Sequence, residues 1–309
     1  MKKKSNLFWL LPIIILLSVF RLPAALTRPV QNEDEDRRSW DSEFLKKRPK
    51  STSTSGRQVR YKRITKAVGP LRKESVENKE LVQGSVIGVT LWRLRQPVKT
   101  DKKGNNARIL DRVEDQPVEW VAERINPETK LVEGQRVRLT VEVPRPGYLY
   151  VIDREQYSDG TFGDPYLVFP IKRARGIENN EVNAGVPLEF PSLEDNYPYF
   201  VLRRSRPDHV GEALTLLVAP APIPDLDIGT KILKLSREQY EQWQRLWSAE
   251  FEIYQLVGGE GGLYSNEEKD AATRTRTLTQ EDPLPQTLYR VAKGQSEPVM
   301  VNFSINFRK

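Results

Sequence analysis

Cysteine is absent from all 309 residues. No disulfide framework, thiolate metal site or cysteine nucleophile can be built, and no lipid-bearing cysteine follows the apolar start. The absence is compatible with an oxidising compartment without requiring one. Histidine occurs once, as His209, which excludes metal sites made from several imidazoles. A histidine-based nucleophile would have to use this residue, and no G-x-S-x-G turn accompanies it. Flanked by Asp208 and Gly211, His209 reads as a loop residue. Long apolar runs are lacking too. The uncharged stretch 8–20 has 13 residues, against roughly 20 for a membrane-spanning helix. Mean hydropathy is −0.58, low for a compact protein, so part of the length is expected to lie outside the fold.

The net charge of +7 suggests an acidic partner until its distribution is followed. Residues 1–25 carry four basic groups and no acidic one, and residues 26–82 carry 15 basic and 9 acidic groups. Residues 83–309 are left at −3. Bulk charge on the body therefore gives no support for phosphate or nucleic-acid binding. Basic residues beside aromatics, as at Trp92-Arg93 and Tyr61-Lys62-Arg63, are too sparse for a stacking platform.

What is present begins with an export pattern. Lys2, Lys3 and Lys4 precede FWLLPIIILLSVF (8–20), then Arg21 and Leu22-Pro23-Ala24-Ala25. A charged start, a short apolar run and a small-residue exit predict a secretory signal peptide over 1–25, cleaved after Ala24 or Ala25. An uncleaved anchor is the alternative. Either way the protein is expected outside the cytoplasm, in a bacterial periplasm, on the outer surface or secreted. Residues 26–82 run from an acidic cluster at 33–36 through Lys46-Lys47-Arg48 and a Ser/Thr run to Arg57, Arg60, Lys62, Arg63 and Lys66. This composition predicts a disordered basic linker, because it cannot bury enough apolar surface to offset its ordering entropy. Its other possible use is an electrostatic arm toward anionic lipid, polysaccharide or a partner. Membrane contact is expected only through the signal segment or this tail.

From residue 86 the texture changes to short alternating runs. VIGVTLWRLR (86–95) reads as a strand. Between Gln135 and Val143, Val137, Leu139, Val141 and Val143 share one face, while Arg136, Arg138, Thr140 and Glu142 share a solvated one. Arg145-Pro146-Gly147-Tyr148 predicts a type II turn that reverses the chain into YLYVID (148–153), apolar on both faces and therefore central. Runs at 166–169, 182–190, 199–202 and 213–219 complete an expected antiparallel, immunoglobulin-like β-sandwich over 83–226. Residues 227–309 read as a two-helix plus strand extension packed on it. Ser236 with Gln239, and Ser265 with Glu268, give two N-terminal capping patterns. The first opens a helix carrying Tyr240, Trp243, Trp247, Phe251 and Tyr254 at spacings of three and four. The last strand alternates Val299, Val301, Phe303, Ile305 and Phe307 against Asn302, Ser304 and Asn306, so it is expected to rejoin the sheet.

The candidate sites are few. Asp153, Glu155, Asp159 and Asp164 lie close together in one stretch between strands, a donor set suited to Ca²⁺. Their spacing is not that of an EF-hand, and Asp159-Gly160 is also ordinary turn chemistry. Tyr240, Trp243 and Trp247 form either a helix face docked on the sandwich or a partner-binding surface. The glycine run 258–262 follows a helix and lacks Gly-Lys-Ser/Thr, so it does not read as a phosphate loop. Carboxylate-only catalysis remains open, but no spacing singles out a pair. No cofactor other than Ca²⁺ is indicated.

The order GVTLWRLR (88–95), GQRVRLTVEV (134–143), GYLYVID (147–153), DG (159–160), LVFP (167–170), NEVNAG (180–185) and EALTLLVAP (212–220) resembles the bacterial domain-of-unknown-function family DUF 4384 over roughly residues 85–226. LTQEDPLPQTLYRV (278–291) looks like an extension seen in exported members. The resemblance implies an accessory or binding role in the envelope and carries no catalytic residue over. The expected function is a non-catalytic extracytoplasmic binding or scaffold module, with an envelope protein or cell-wall component as partner. An envelope hydrolase using carboxylates, or a calcium-dependent recognition module, is the alternative. Oligomeric state is not encoded in these patterns.

Overall fold

Apolar alternation drives most of this chain into strands, and a computed structural model describes residues 44–51, 60–67, 85–101, 104–113, 116–173, 176–294 and 296–308. The expected signal peptide and most of the expected linker lie outside the described residues. The strands, in chain order, are β1 (Tyr61–Ala67), β2 (Ser85–Arg95), β3 (Ile109–Val113), β4 (Gln116–Ile125), β5 (Arg136–Glu142) and β6 (Gly147–Tyr157). Then come β7 (Tyr166–Phe169), β8 (Lys172–Arg173), β9 (Gly176–Ile177), β10 (Glu181–Val182), β11 (Leu188–Phe190), β12 (Phe200–Val201) and β13 (His209–Ala219). β14 (Leu233–Lys234) precedes helix α1 (Arg237–Trp247), β15 (Phe251–Leu256), helix α2 (Asn266–Ala272), β16 (Thr287–Val291) and β17 (Val299–Asn306).

Two antiparallel sheets form a sandwich-like, mainly β architecture. In the first, β2 pairs with β5 along one edge, and β5 continues to β11 and β12. The other edge of β2 is shared. Its first half pairs with β16, which leads to β15 and β1, and its second half pairs with β4, which leads to β3. The second sheet has the order β14-β7-β6-β13-β17, with β10 beside β6. Ile87, Val89, Leu139 and Val141 of the first sheet meet Leu149, Val151, Leu216, Val301 and Phe303 of the second in one buried core. β6 lies between β7 and β13 and is covered on both faces, with Leu149 and Val151 in that core and Tyr150 and Ile152 under α1.

Four sequence expectations change here. The Arg145–Tyr148 segment does not form a hairpin, because β5 and β6 belong to different sheets. Gly147 lacks the positive φ of a type II turn. Glycine is needed there for close approach, since a Cβ would sit 2.9 Å from the Ala219 carbonyl oxygen. The expected strand 182–190 is two pieces, β10 and β11, in different sheets. Helix α1 stops at Trp247, where Ser248 turns extended, so Phe251 and Tyr254 lie on β15 instead of the helical stripe.

The fourth change concerns the polar face of β5, which is not solvated. Arg138 is buried against Glu189, Pro191 and the Tyr264 ring, and Glu142 against Arg48, beside Glu268, Leu278 and Pro283. The linker thus contributes to the fold. Phe44 is buried in a cluster with Val86, Tyr254, Leu284 and Leu288, and β1 extends the first sheet beside β15. Gly88 marks the contact: a Cβ there would lie 2.5 Å from Pro285 and 2.8 Å from Phe44. Among the described residues, no helix is long and apolar enough to cross a membrane.

Candidate functional site

Strand register brings Asp153 and Glu155 of β6 beside β13, where Glu155 lies opposite Glu212 and Asp153 opposite Leu214. Alternation from Leu149 and Val151 places both acids on the inward face, at one end of the sandwich. Asp153 Oδ1 and Glu212 Oε2 are sealed from water and have no hydrogen-bond partner. Burial first, and the Glu155 charge second, push the Asp153 carboxyl up to about 7, against the pull of the Arg154 backbone. Burial, then the charges of Asp153 and Glu155, push Glu212 up to about 8. Two neighbouring carboxyls out of water resist ionising together. For Glu155, burial is outweighed by hydrogen bonds from Tyr157 and Ser205 and by the charge of Arg206, and its carboxyl lies below the ordinary value.

His209 is not an exposed loop residue. It is 1% exposed and opens β13, with its ring 4.9 Å from that of Phe307. Nδ1 accepts the Ser205 backbone N–H at 3.2 Å. The hydrogen-bond network therefore assigns the proton to Nε2, which donates to the Gly211 carbonyl at 2.9 Å and lies 3.3 Å from Glu212 Oε1. Ser205 Oγ is 3.4 Å from Nδ1, so serine, histidine and glutamate fall in line. They do not make a nucleophile relay. The Nδ1 lone pair is already taken by a backbone N–H, the hydroxyl lies beyond the ~3.2 Å reach of an effective base, and a protonated Glu212 supplies no charge to steady an imidazolium.

The other two predicted calcium ligands lie elsewhere. Asp159 accepts from Thr161 N at 2.8 Å and Thr161 Oγ1 at 2.7 Å, closing its own turn. Asp164 pairs with Lys234 at 2.5 Å and Arg237 at 2.8 Å, tying β7 to the start of α1. Among the described residues, no group of three or more His, Cys, Asp or Glu side chains could hold a metal ion. The predicted partner-binding aromatics are used in packing. Tyr240 and Trp243 are buried with Tyr150, Ile152, Leu217 and Met300 on the outer face of the second sheet, and Trp247 packs at the edge of that cluster. Trp247 stacks on Trp243 at 5.2 Å, and Tyr240 bonds Thr215 through its hydroxyl at 2.8 Å.

The feature that sequence reasoning missed is a cleft of about 790 Å³ between the β7–β8 end, the segment after β11 and the end of α2. Glu189 of β11 lies at its floor, held by Arg138 of β5 and the Tyr264 hydroxyl. Burial still pushes its carboxyl above the ordinary value. On the wall, Arg173 bridges Glu178 at 2.9 Å and Asp195 at 2.8 Å. Glu178 also accepts the Ile171 N–H at 3.0 Å, and Asp195 the Ser192 N–H at 3.1 Å. Burial raises Asp195 despite Arg173. Across the cleft, Arg274 in the left-handed region (φ 60°) donates to the Glu181 carbonyl at 2.8 Å. These groups come from four separate stretches of chain, so no local motif announces them. Arg173, Glu178 and Asp195 are fixed by one another and Glu189 by Arg138 and Tyr264, between walls set by sheet and helix. No known family, curated protein or solved structure matches the chain.

Proposed function

We propose that this protein is a non-catalytic binding module that works outside the cytoplasm, on the bacterial cell envelope, and that the cleft beside β11 receives its partner. The observation that carries the reading is the pre-formed, polar cleft of about 790 Å³ with its buried Glu189–Arg138–Tyr264 floor, within the size range of ligand sites. The export pattern of residues 1–25 supports the location, and the mildly acidic body supports a partner other than nucleic acid. On the same reading the sandwich is immunoglobulin-like and DUF 4384-like, with a C-terminal two-helix plus strand extension. Support for this is the paired antiparallel sheets and the strand and turn order of residues 88–220. The carboxylate-enzyme alternative rests on Asp153 and Glu212, but that pair faces the sandwich interior beside a histidine whose base nitrogen is occupied.

The test is affinity capture of envelope fractions on the full chain and on Asn196→Trp, which fills the cleft from its exposed rim. An envelope component retained by the native chain and lost by the variant is the expected result. Equal retention by both, or none by either, counts against the reading.

A further inference from the structure

Most of the charges around the cleft are closed among themselves. Arg173 is occupied by Glu178 and Asp195, and each of these carboxylates also takes a backbone N–H on its other oxygen. Glu189 is occupied by Arg138 and Tyr264. An ionic ligand is recognised by an opposite charge aimed at it, most strongly by a bidentate arginine, and Arg173 has its fork turned onto its own chain. At the rim, Glu194 and Arg274 add one exposed charge of each sign and no net bias.

The apolar share of the lining does not make a pocket. Phe169 and Leu188 are 4% and 9% exposed and belong to the sandwich core, so neither offers a slot for an acyl chain or for the side chains by which an extended peptide is read. Half-buried Leu193 and Ala272 complete the apolar part of the wall. The rest is neutral and hydrogen-bonding: Asn196, the Asn179 side-chain N–H groups, the Ser192 hydroxyl proton and the Thr273 hydroxyl oxygen. Asn179 Oδ1 and Ser192 Oγ already accept from Glu181 N and Glu194 N, and Thr273 Oγ1 donates to the Lys269 and Asp270 carbonyls. Asn179, Asn196 and Thr273 are exposed. Amides and hydroxyls both donate and accept, which matches a ligand made of hydroxyl groups that do the same.

We infer that the cleft is a carbohydrate site whose ligand is an uncharged oligosaccharide. This rests on the binding-module reading and narrows it to one ligand class.

Calorimetric titration of the full chain tests the inference with three probes: the β-1,4-linked N-acetylglucosamine tetramer, maltotetraose, and anionic tetragalacturonate. One of the two neutral oligomers is expected to bind. The Asn196→Trp variant, with its melting temperature checked against the native chain, is expected to weaken that binding by roughly tenfold or more, the scale of losing one or two good hydrogen bonds. Asn196→Ala is expected to weaken it by a smaller factor. No heat from either neutral oligomer at millimolar concentration overturns the inference. So does binding that Asn196→Trp leaves unchanged, or binding of the anionic probe alone. If envelope capture depends on the cleft while both neutral sugars fail, the carbohydrate assignment falls and the binding-module reading stands.

Discussion

Asp153 and Glu212 face each other's strands with one oxygen apiece sealed from water and unpartnered. Their carboxyls lie at about 7 and about 8 in the folded protein, against roughly 4 in an unfolded chain. The folded state therefore keeps protons that the unfolded state has released. The sign follows from linkage: their contribution is fully present below the unfolded value and is lost as pH rises through the folded values, by about 1.4 kcal/mol per pH unit for each retained proton. Asp159 and Asp164 act in the opposite sense, because their own hydrogen-bond partners hold them below the ordinary carboxylate value, so the pair must be isolated by difference. The double variant Asp153→Asn with Glu212→Gln is expected to gain on the native protein steadily between pH 5 and pH 8. Urea midpoints measured across that range check it, and a difference that stays flat, or grows in favour of the native protein, would sink the idea. The sequence displayed Asp153 as one of four clustered acids. It did not display Glu212, because only strand register brings β13 alongside β6.

At the scale of elements, the parts legible in the sequence are those whose pattern and environment agree. β17 alternates and pairs with β13 along its length, and Ser265 with Glu268 forms a reciprocal capping box. The parts that misled are those where one pattern serves two environments. The charged alternates of β5 read as solvated, yet Arg138–Glu189 and Arg48–Glu142 are buried ion pairs, and alternation cannot distinguish water from a paired side chain. The aromatic spacing ran on past Trp247, but between β1 and β16 the 251–256 stretch gains a ladder on both edges, and tertiary pairing overrides the helical period. The cleft had no pattern to read, since its walls come from distant segments. Helix α1 supplies the element-scale prediction. Trp243 is 7% exposed and Leu246 57%, so Trp243→Ala is expected to cost about 3–5 kcal/mol and Leu246→Ala within about 0.5 kcal/mol. Equal losses in urea denaturation would mean that α1 is not docked by its aromatic face.

For the molecule as a whole, Phe44 and β1 pack on the body from the N-terminal side of the boundary expected at residue 83. The described part of the basic linker carries Phe44 into a buried cluster and Arg48 onto Glu142, with N–O distances of 2.8 and 2.5 Å. Arg48 also donates to the carbonyls of Thr279, Asp282 and Pro283. One guanidinium thus joins the N-terminal segment, β5 and the stretch before β16, while Arg63 of β1 pairs with Glu252 of β15 at 2.7 Å. Part of the linker's positive charge is thereby matched to a mildly acidic body. Removing Arg48 leaves Glu142 buried without its cation, which costs about 3–5 kcal/mol for a pair of this kind. A chain beginning at residue 83 also loses Phe44 and β1. It is expected to unfold at distinctly lower urea concentration than a chain beginning at residue 40. Within the full chain, Arg48→Ala is expected to reproduce much of that loss. Arg48→Met with Glu142→Leu is expected to recover most of it, because an apolar pair leaves no buried charge behind. If the two truncated chains unfold together, the N-terminal segment is a tether resting on the surface. If Arg48→Ala alone accounts for the whole difference, the segment is held by its ion pair, and Phe44 and β1 follow it passively.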